Sequence, residues 1–147
     1  MTAPSPTTVS AVPRVDHVIL AVADLERAAA RTGTTVVPGE RHLPDGTTVA
    51  WRLAGVDTML SEPPLPAFIA WDVPAEGHPS AMAVDHGVDP VGVAWVEVAG
   101  DSGRLGQWLG VDGGGAGGAE VRVVPGATPG LRAVGIALAG GAEAVLR

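Results

Sequence analysis

Val36-Val37-Pro38-Gly39 returns as Val123-Val124-Pro125-Gly126, and its surroundings return with it. Ahead of the first copy lies Val18-Ile19-Leu20-Ala21-Val22-Ala23-Asp24, then Arg27 and Gly33. Ahead of the second lies Ala94-Trp95-Val96-Glu97-Val98-Ala99-Gly100-Asp101, then Arg104 and Gly110. Behind them Leu53-Ala54-Gly55 returns as Leu138-Ala139-Gly140. Landmarks in one order, with the Gly-rich insertion 111–118 widening the offset in the second copy, point to a duplicated module.

Each copy reads as β-α-β-β-β. Val15–Val22 is a β-branched, apolar run that suits a buried strand. Asp24 is an N-cap ahead of helix-forming Leu25–Arg31, and Gly33 suits the helix end. Thr34–Val37 is a strand expected to stop at Pro38-Gly39. Pro44-Asp45-Gly46 is a turn, and Thr47–Leu53 and Thr58–Ser61 complete the first copy. The second copy gives Val93–Val98, a helix from Asp101 to Leu109, then Val121–Val124, Leu131–Leu138 and Ala142–Leu146. The expected organisation is a mobile tail over 1–13 and one α+β domain over 14–147. That domain divides into module one (14–62), a strap (63–91) and module two (92–147). The strap holds Phe68 and Trp71 in a further strand-like run, Ala67–Asp72.

Composition bounds the partners. The chain has 147 residues, a formal charge of −7 and a pI near 4.8. Such a balance argues against nucleic acid and anionic membranes. It contains no cysteine, so disulfides, thiolate catalysis and cysteine metal sites are excluded. No apolar run is long enough to span a bilayer and residues 1–13 lack a signal-peptide pattern, so a cytoplasmic protein is expected. Asp112–Gly118 has the glycines of a phosphate loop but no Lys-Ser/Thr after them, and reads as a flexible insertion.

Strand parity sorts the candidate residues. Val18, Leu20 and Val22, and in the second copy Ala94, Val96 and Val98, form the apolar sides that pack under helices. His17, Val93, Trp95 and Glu97 then fall on the open sides, which two modules turn toward a shared cavity. Glu97 interrupts an apolar strand, so it must face solvent, a cavity or a cation. As a catalytic group it would be a general base, abstracting a proton next to a carbonyl. As a structural one it would pair with Arg132 or Arg52. Trp51, Trp95 and Trp71 are candidate apolar walls of the substrate cavity, with Asp72, His78 and His86 near them. Trp108 is expected in the core.

The opening Val15-Asp16-His17-Val18, the run into Val22-Ala23-Asp24-Leu25 and the doubled βαβββ order resemble the vicinal oxygen chelate superfamily. That group includes glyoxalases, extradiol dioxygenases and bleomycin-resistance proteins. Phe68–Asp72, His78-Pro79 and Val96–Asp101 extend the resemblance to glyoxalase-like domain proteins. It implies a glyoxalase-like fold, with curved mixed sheets around a shared cavity.

Metal-dependent members of the superfamily take His and Glu ligands from the first and last strands of each module. A divalent ion held there acts as a Lewis acid on a vicinal oxygen pair. His17 matches the first position, but Val93 or Ala94 stands at its counterpart and Thr58–Ser61 carries no carboxylate. No metal or other cofactor is therefore expected. If an ion were bound, the weak candidate ligands would be His17, Glu97, Glu143 and His86. The resemblance implies a lyase or isomerase acting on a small oxygenated substrate, with His17 and Glu97 as the catalytic groups. The alternative is a non-catalytic protein that binds or sequesters a small molecule, of the bleomycin-resistance type. A homodimer is compatible with both.

Overall fold

The computed structural model describes residues 15–81, 83–85, 87–110, 115–116 and 119–147. The fold is mixed α+β, with two mixed sheets and few helices. The first sheet combines β1 (Ile19–Ala21), β2 (Val37–His42), β3 (Thr48–Ala54) and β4 (Ala67–Trp71) in the order β1-β4-β3-β2. In it β1 runs parallel to β4, and the other neighbours are antiparallel. The second sheet combines β5 (Pro90–Ala99), β6 (Gly115–Ala116), β7 (Ala119–Val124), β8 (Gly130–Leu138) and β9 (Glu143–Leu146) in the order β6-β7-β5-β8-β9. Here β5 is parallel to β7 and antiparallel to β8.

Two helices of equal length follow the first strand of each sheet: α1 (Leu25–Thr32) and α3 (Ser102–Leu109). Both begin as the sequence predicts. Asp24 accepts a hydrogen bond from Arg27 N–H at 3.0 Å, and Asp101 accepts one from Arg104 N–H at 2.9 Å. Each cap satisfies a helix N–H that has no intrahelical acceptor. Both helices end on a glycine in the left-handed region, Gly33 and Gly110.

Three local expectations are corrected. Thr58–Ser61 is not a strand but part of α2 (Val56–Ser61). Val56, Met59 and Leu60 have helical spacing, and Ser61 Oγ donates to Asp57 O at 2.9 Å. The fourth strand of the first sheet comes instead from Ala67–Trp71, inside the stretch read as a strap. Nor does Pro38-Gly39 stop a strand, since both residues lie inside β2. β2 is an edge strand, where a proline without an N–H is tolerated.

The repeated tetrapeptide does not mark equivalent places. Its first copy enters an antiparallel edge strand, whereas Val123-Val124 ends β7, which is parallel to β5. The first strand is an edge of one sheet, but its counterpart β5 is central in the other. The two halves share a β-α start and diverge in strand order. Sequence landmarks report caps and turns, which are local; strand order depends on long-range pairing that no tetrapeptide encodes.

One core joins both halves. Leu25, Ala28 and Ala29 of α1 pack with Phe68, Val96, Val98, Leu105 and Val134. Val18, Leu20 and Val22 lean on the same cluster, as parity predicts. Trp108, 2% exposed, sits at its centre. Its indole N–H donates to Pro66 O at 2.7 Å, and its ring stacks on Phe68 at 5.7 Å. That bond ties α3 of the second half to the first sheet. Arg31 on α1 returns the link, donating through Nε to Trp108 O at 3.2 Å.

Candidate functional site

The side chains of β5 divide its two faces. Val96 and Val98 point toward α3, and between them, Leu105 and Leu109 lies a cavity of about 300 Å³. Val121 of β7 and Leu131 of β8 extend this wall, being register partners of Val96 and Val98. The first half supplies Val18 and Leu20 from the β1 segment, and Met59 and Leu60 from α2. The turn Pro63-Pro64-Leu65-Pro66 closes one side. The cavity therefore lies where the halves meet, on the helix-bearing side of β5. Its volume is at the small end of ligand pockets.

Among the described residues, polar side chains reach this space at one place. Asp16 and His17, just before β1, line the cavity and are exposed. The strand begins only at Ile19, so the expected alternation does not extend back to His17. It shares the cavity with the helix-side residues Val18 and Leu20 and does not face an open sheet surface.

An ion pair joins the end of α2 to α3, each partner next in sequence to a residue that lines the cavity. Glu62, just after α2, accepts two hydrogen bonds from Arg104 on α3, at 2.8 Å and 3.1 Å. These bonds hold the Glu62 carboxyl below the usual carboxylate range and push the Arg104 guanidinium up. Arg104 also lies over the Trp108 ring, 5.5 Å from its centroid. Leu60 on the same short helix is 69% exposed, so an apolar side chain stands at the mouth.

The other catalytic candidate is elsewhere. Glu97 alternates with Val96 and Val98 and so projects from the opposite face of β5. That face carries Trp95, whose indole N–H donates to Glu143 at 2.9 Å, and Arg122, 4.5 Å from the Trp95 ring centroid. Arg122 pairs with Glu120 at 3.2 Å, and this bond, then the charges of Glu143 and Glu97, raises its pKa. The cation near Glu97 is thus Arg122 and neither of the arginines expected. Arg52 is held by Asp72 at 3.0 Å and by Glu26, and Arg132 donates to Thr128 O.

The other described candidates lie outside the cavity. Trp51 and Trp71 meet edge to face at 6.0 Å, and Trp71 meets His78 at 5.2 Å. His78 Nδ1 shares a hydrogen bond with Ser80 Oγ at 2.7 Å. Asp72 is committed to Arg52. His86 lies outside the described residues. Of the described candidates, His17 alone lines the cavity, and no tryptophan does. Val96 and Val98 were legible as an apolar face, but an apolar face signals core and cavity wall alike.

Among the described residues, no group of three or more His, Asp or Glu side chains converges to hold a metal ion. Among these residues, no helix is long and apolar enough to cross a membrane. What the cavity offers chemically is desolvation of an apolar body and one polar rim. Compared with known proteins, the chain matches no family model, no curated protein and no solved structure.

Proposed function

We propose that this protein binds a small, largely apolar molecule in the cavity between β5, α3 and α2, and holds it without chemical change. The observation that carries this reading is the division of β5, with Val96 and Val98 lining the cavity and Glu97 on the other face. A glyoxalase-like lyase or isomerase would need His17 and Glu97 at one centre. General acid–base catalysis requires a group within hydrogen-bond reach of the proton it moves. The resemblance to bleomycin-resistance proteins is kept in this proposal, since it asks for capture and not for catalysis. The βαβββ reading has its support in the first sheet, where β1 pairs parallel with β4.

The test is titration with phenylnaphthylamine, a neutral dye that brightens in apolar surroundings. One saturable site is expected in the native protein. Leu109→Trp, at a half-buried wall position, should fill the cavity and abolish the signal while the circular dichroism and melting cooperativity persist. Equal binding by native protein and the filled variant would overturn the proposal.

A further inference from the structure

A second hollow lies on the first half of the chain. It opens where α1 ends, β2 begins and β3 passes into α2, and its volume is about 540 Å³, within the range of ligand pockets. Thr34, Thr35, Asp57 and Thr58 supply its polar side chains. Val37 and Leu53, register partners across β2 and β3, supply an apolar strip. Among the described residues no arginine or histidine lines it, and the sequence contains no lysine. From this arrangement we infer a second binding site, for a small primary alkylammonium. It shares no lining residue with the cavity at β5 and does not depend on the function proposed for that cavity.

The head group follows from hydrogen-bond roles. Thr32 Oγ1 lies 2.8 Å from Ala28 O, and a carbonyl only accepts, so the Thr32 hydroxyl donates there. The 2.9 Å contact between the Thr32 and Thr34 hydroxyls then has Thr34 as its donor. With its proton committed, the Thr34 oxygen can only accept from a ligand. Asp57 is exposed, and its carboxylate has no hydrogen-bond or ion-pair partner among the described residues. It too only accepts, and the hydroxyls of Thr35 and Thr58 can do the same. One negative charge among acceptors matches a cation with several N–H donors, and a primary ammonium carries three.

Other heads fit less well. A carboxylate or phosphate would meet Asp57 and the chain's formal charge of −7, with no lining cation among the described residues. An alcohol could donate one hydrogen bond to Asp57 but gains no Coulomb attraction. A quaternary ammonium has the charge but no N–H, and among the described residues no aromatic ring lines the hollow to receive its methyl groups. The alkyl body follows from the apolar strip. Val37 is 57% exposed, and a short chain laid along it and Leu53 removes apolar surface from water.

The experiment titrates butylammonium, butyltrimethylammonium, butanol and butyrate into the full chain at neutral pH and low salt. Binding is read from methyl chemical shifts of Val37, Leu53 and Val56, which line the hollow, with Val96 and Val98 reporting the cavity at β5. Butylammonium should shift the first set and bind about fivefold more tightly than butanol, the effect of two unit charges about 4 Å apart in water. Its lead over butyrate should be larger, and butyltrimethylammonium should fall behind it. Asp57→Asn keeps the size of an exposed side chain and should bring butylammonium down to the level of butanol, with the circular dichroism unchanged. Butanol or butyrate binding as well as butylammonium overturns the cationic class, and butyltrimethylammonium binding as well overturns the primary head. An unchanged butylammonium affinity in Asp57→Asn overturns the placement of the charge. Shifts confined to Val96 and Val98, or none at all, overturn the second site, while the function of the cavity at β5 stands or falls with the dye and Leu109→Trp.

Discussion

Trp95 lies across Gly135, its register partner between β5 and β8, so closely that only glycine fits there. A β-carbon at Gly135 would stand 2.8 Å from Cδ1 of Trp95 and nearer still to Cε2 and Nε1. The first sheet repeats the device with Trp51 over Gly39, its partner between β3 and β2. Each sheet thus covers a cross-strand glycine with an indole on the face away from the shared core. Gly135→Ala should cost about 1–3 kcal/mol, the usual penalty for overpacking a fixed ring. Chemical denaturation measures it. The loss should largely vanish when Trp95 is Leu, because the clash is pairwise. An additive double mutant would show that the glycine matters for another reason.

Trp108 presents a second pairwise dependence. Its N–H donates to Pro66 O across the junction between the halves. Trp108→Phe keeps an apolar ring but leaves that carbonyl without its partner in a buried setting. A loss of about 1–3 kcal/mol is expected, read by thermal or urea unfolding. A change below about 0.5 kcal/mol, the range of ordinary surface substitutions, would remove Trp108 as the fastener between α3 and the first sheet.

These two tryptophans show what was legible in the sequence. Trp108 lies near the end of the second helix, and that position was enough to expect it in the core. Asp24 announced the first helix because an N-cap acts within three residues. Strand order was not legible. β5 lies between β7 and β8, whereas β1 stands at an edge, although both open the same local pattern. Pairing of Val96 with Val121 and Val134 is decided by packing at long range. The candidate site was half legible for the same reason. His17 was found by its resemblance to a ligand position, and Glu97 by its interruption of an apolar strand. The setting of His17 depended on where β1 begins, while the face of Glu97 followed from parity and the cavity formed on the other side of β5.

The Glu62–Arg104 pair should make stability depend on acid. Arg104 lowers the Glu62 pKa from its ordinary 4.5. A depressed carboxylate stabilises the fold above its unfolded pKa, and that contribution is lost as pH falls through the folded value. Both groups are partly exposed, so the effect is small and screened by salt. Glu62→Gln should lower stability slightly at neutral pH and match the native protein at the acid end, where the native Glu62 is protonated too. Urea midpoints collected from neutral to acid pH should therefore converge downward. Parallel curves would mean that the pair contributes nothing that titrates.

Glu97 gives the sharpest separation between capture and catalysis. It lies on the face of β5 that carries Trp95 and Arg122, while Val96 and Val98 line the cavity. A ligand in the cavity is therefore screened from the Glu97 carboxylate by the strand itself. Glu97→Gln keeps the size and removes the charge, so phenylnaphthylamine should bind with unchanged affinity, within about twofold. Leu105→Ala is the contrasting variant, because Leu105 is buried and lines the cavity. It should cost about 2–5 kcal/mol of stability, the usual range for a buried leucine, and enlarge the site so that bulkier dyes enter. Measured side by side, the two variants separate a wall residue from a remote charge. Loss of binding in Glu97→Gln, with the fold intact, would bring Glu97 back to the site and restore the catalytic reading.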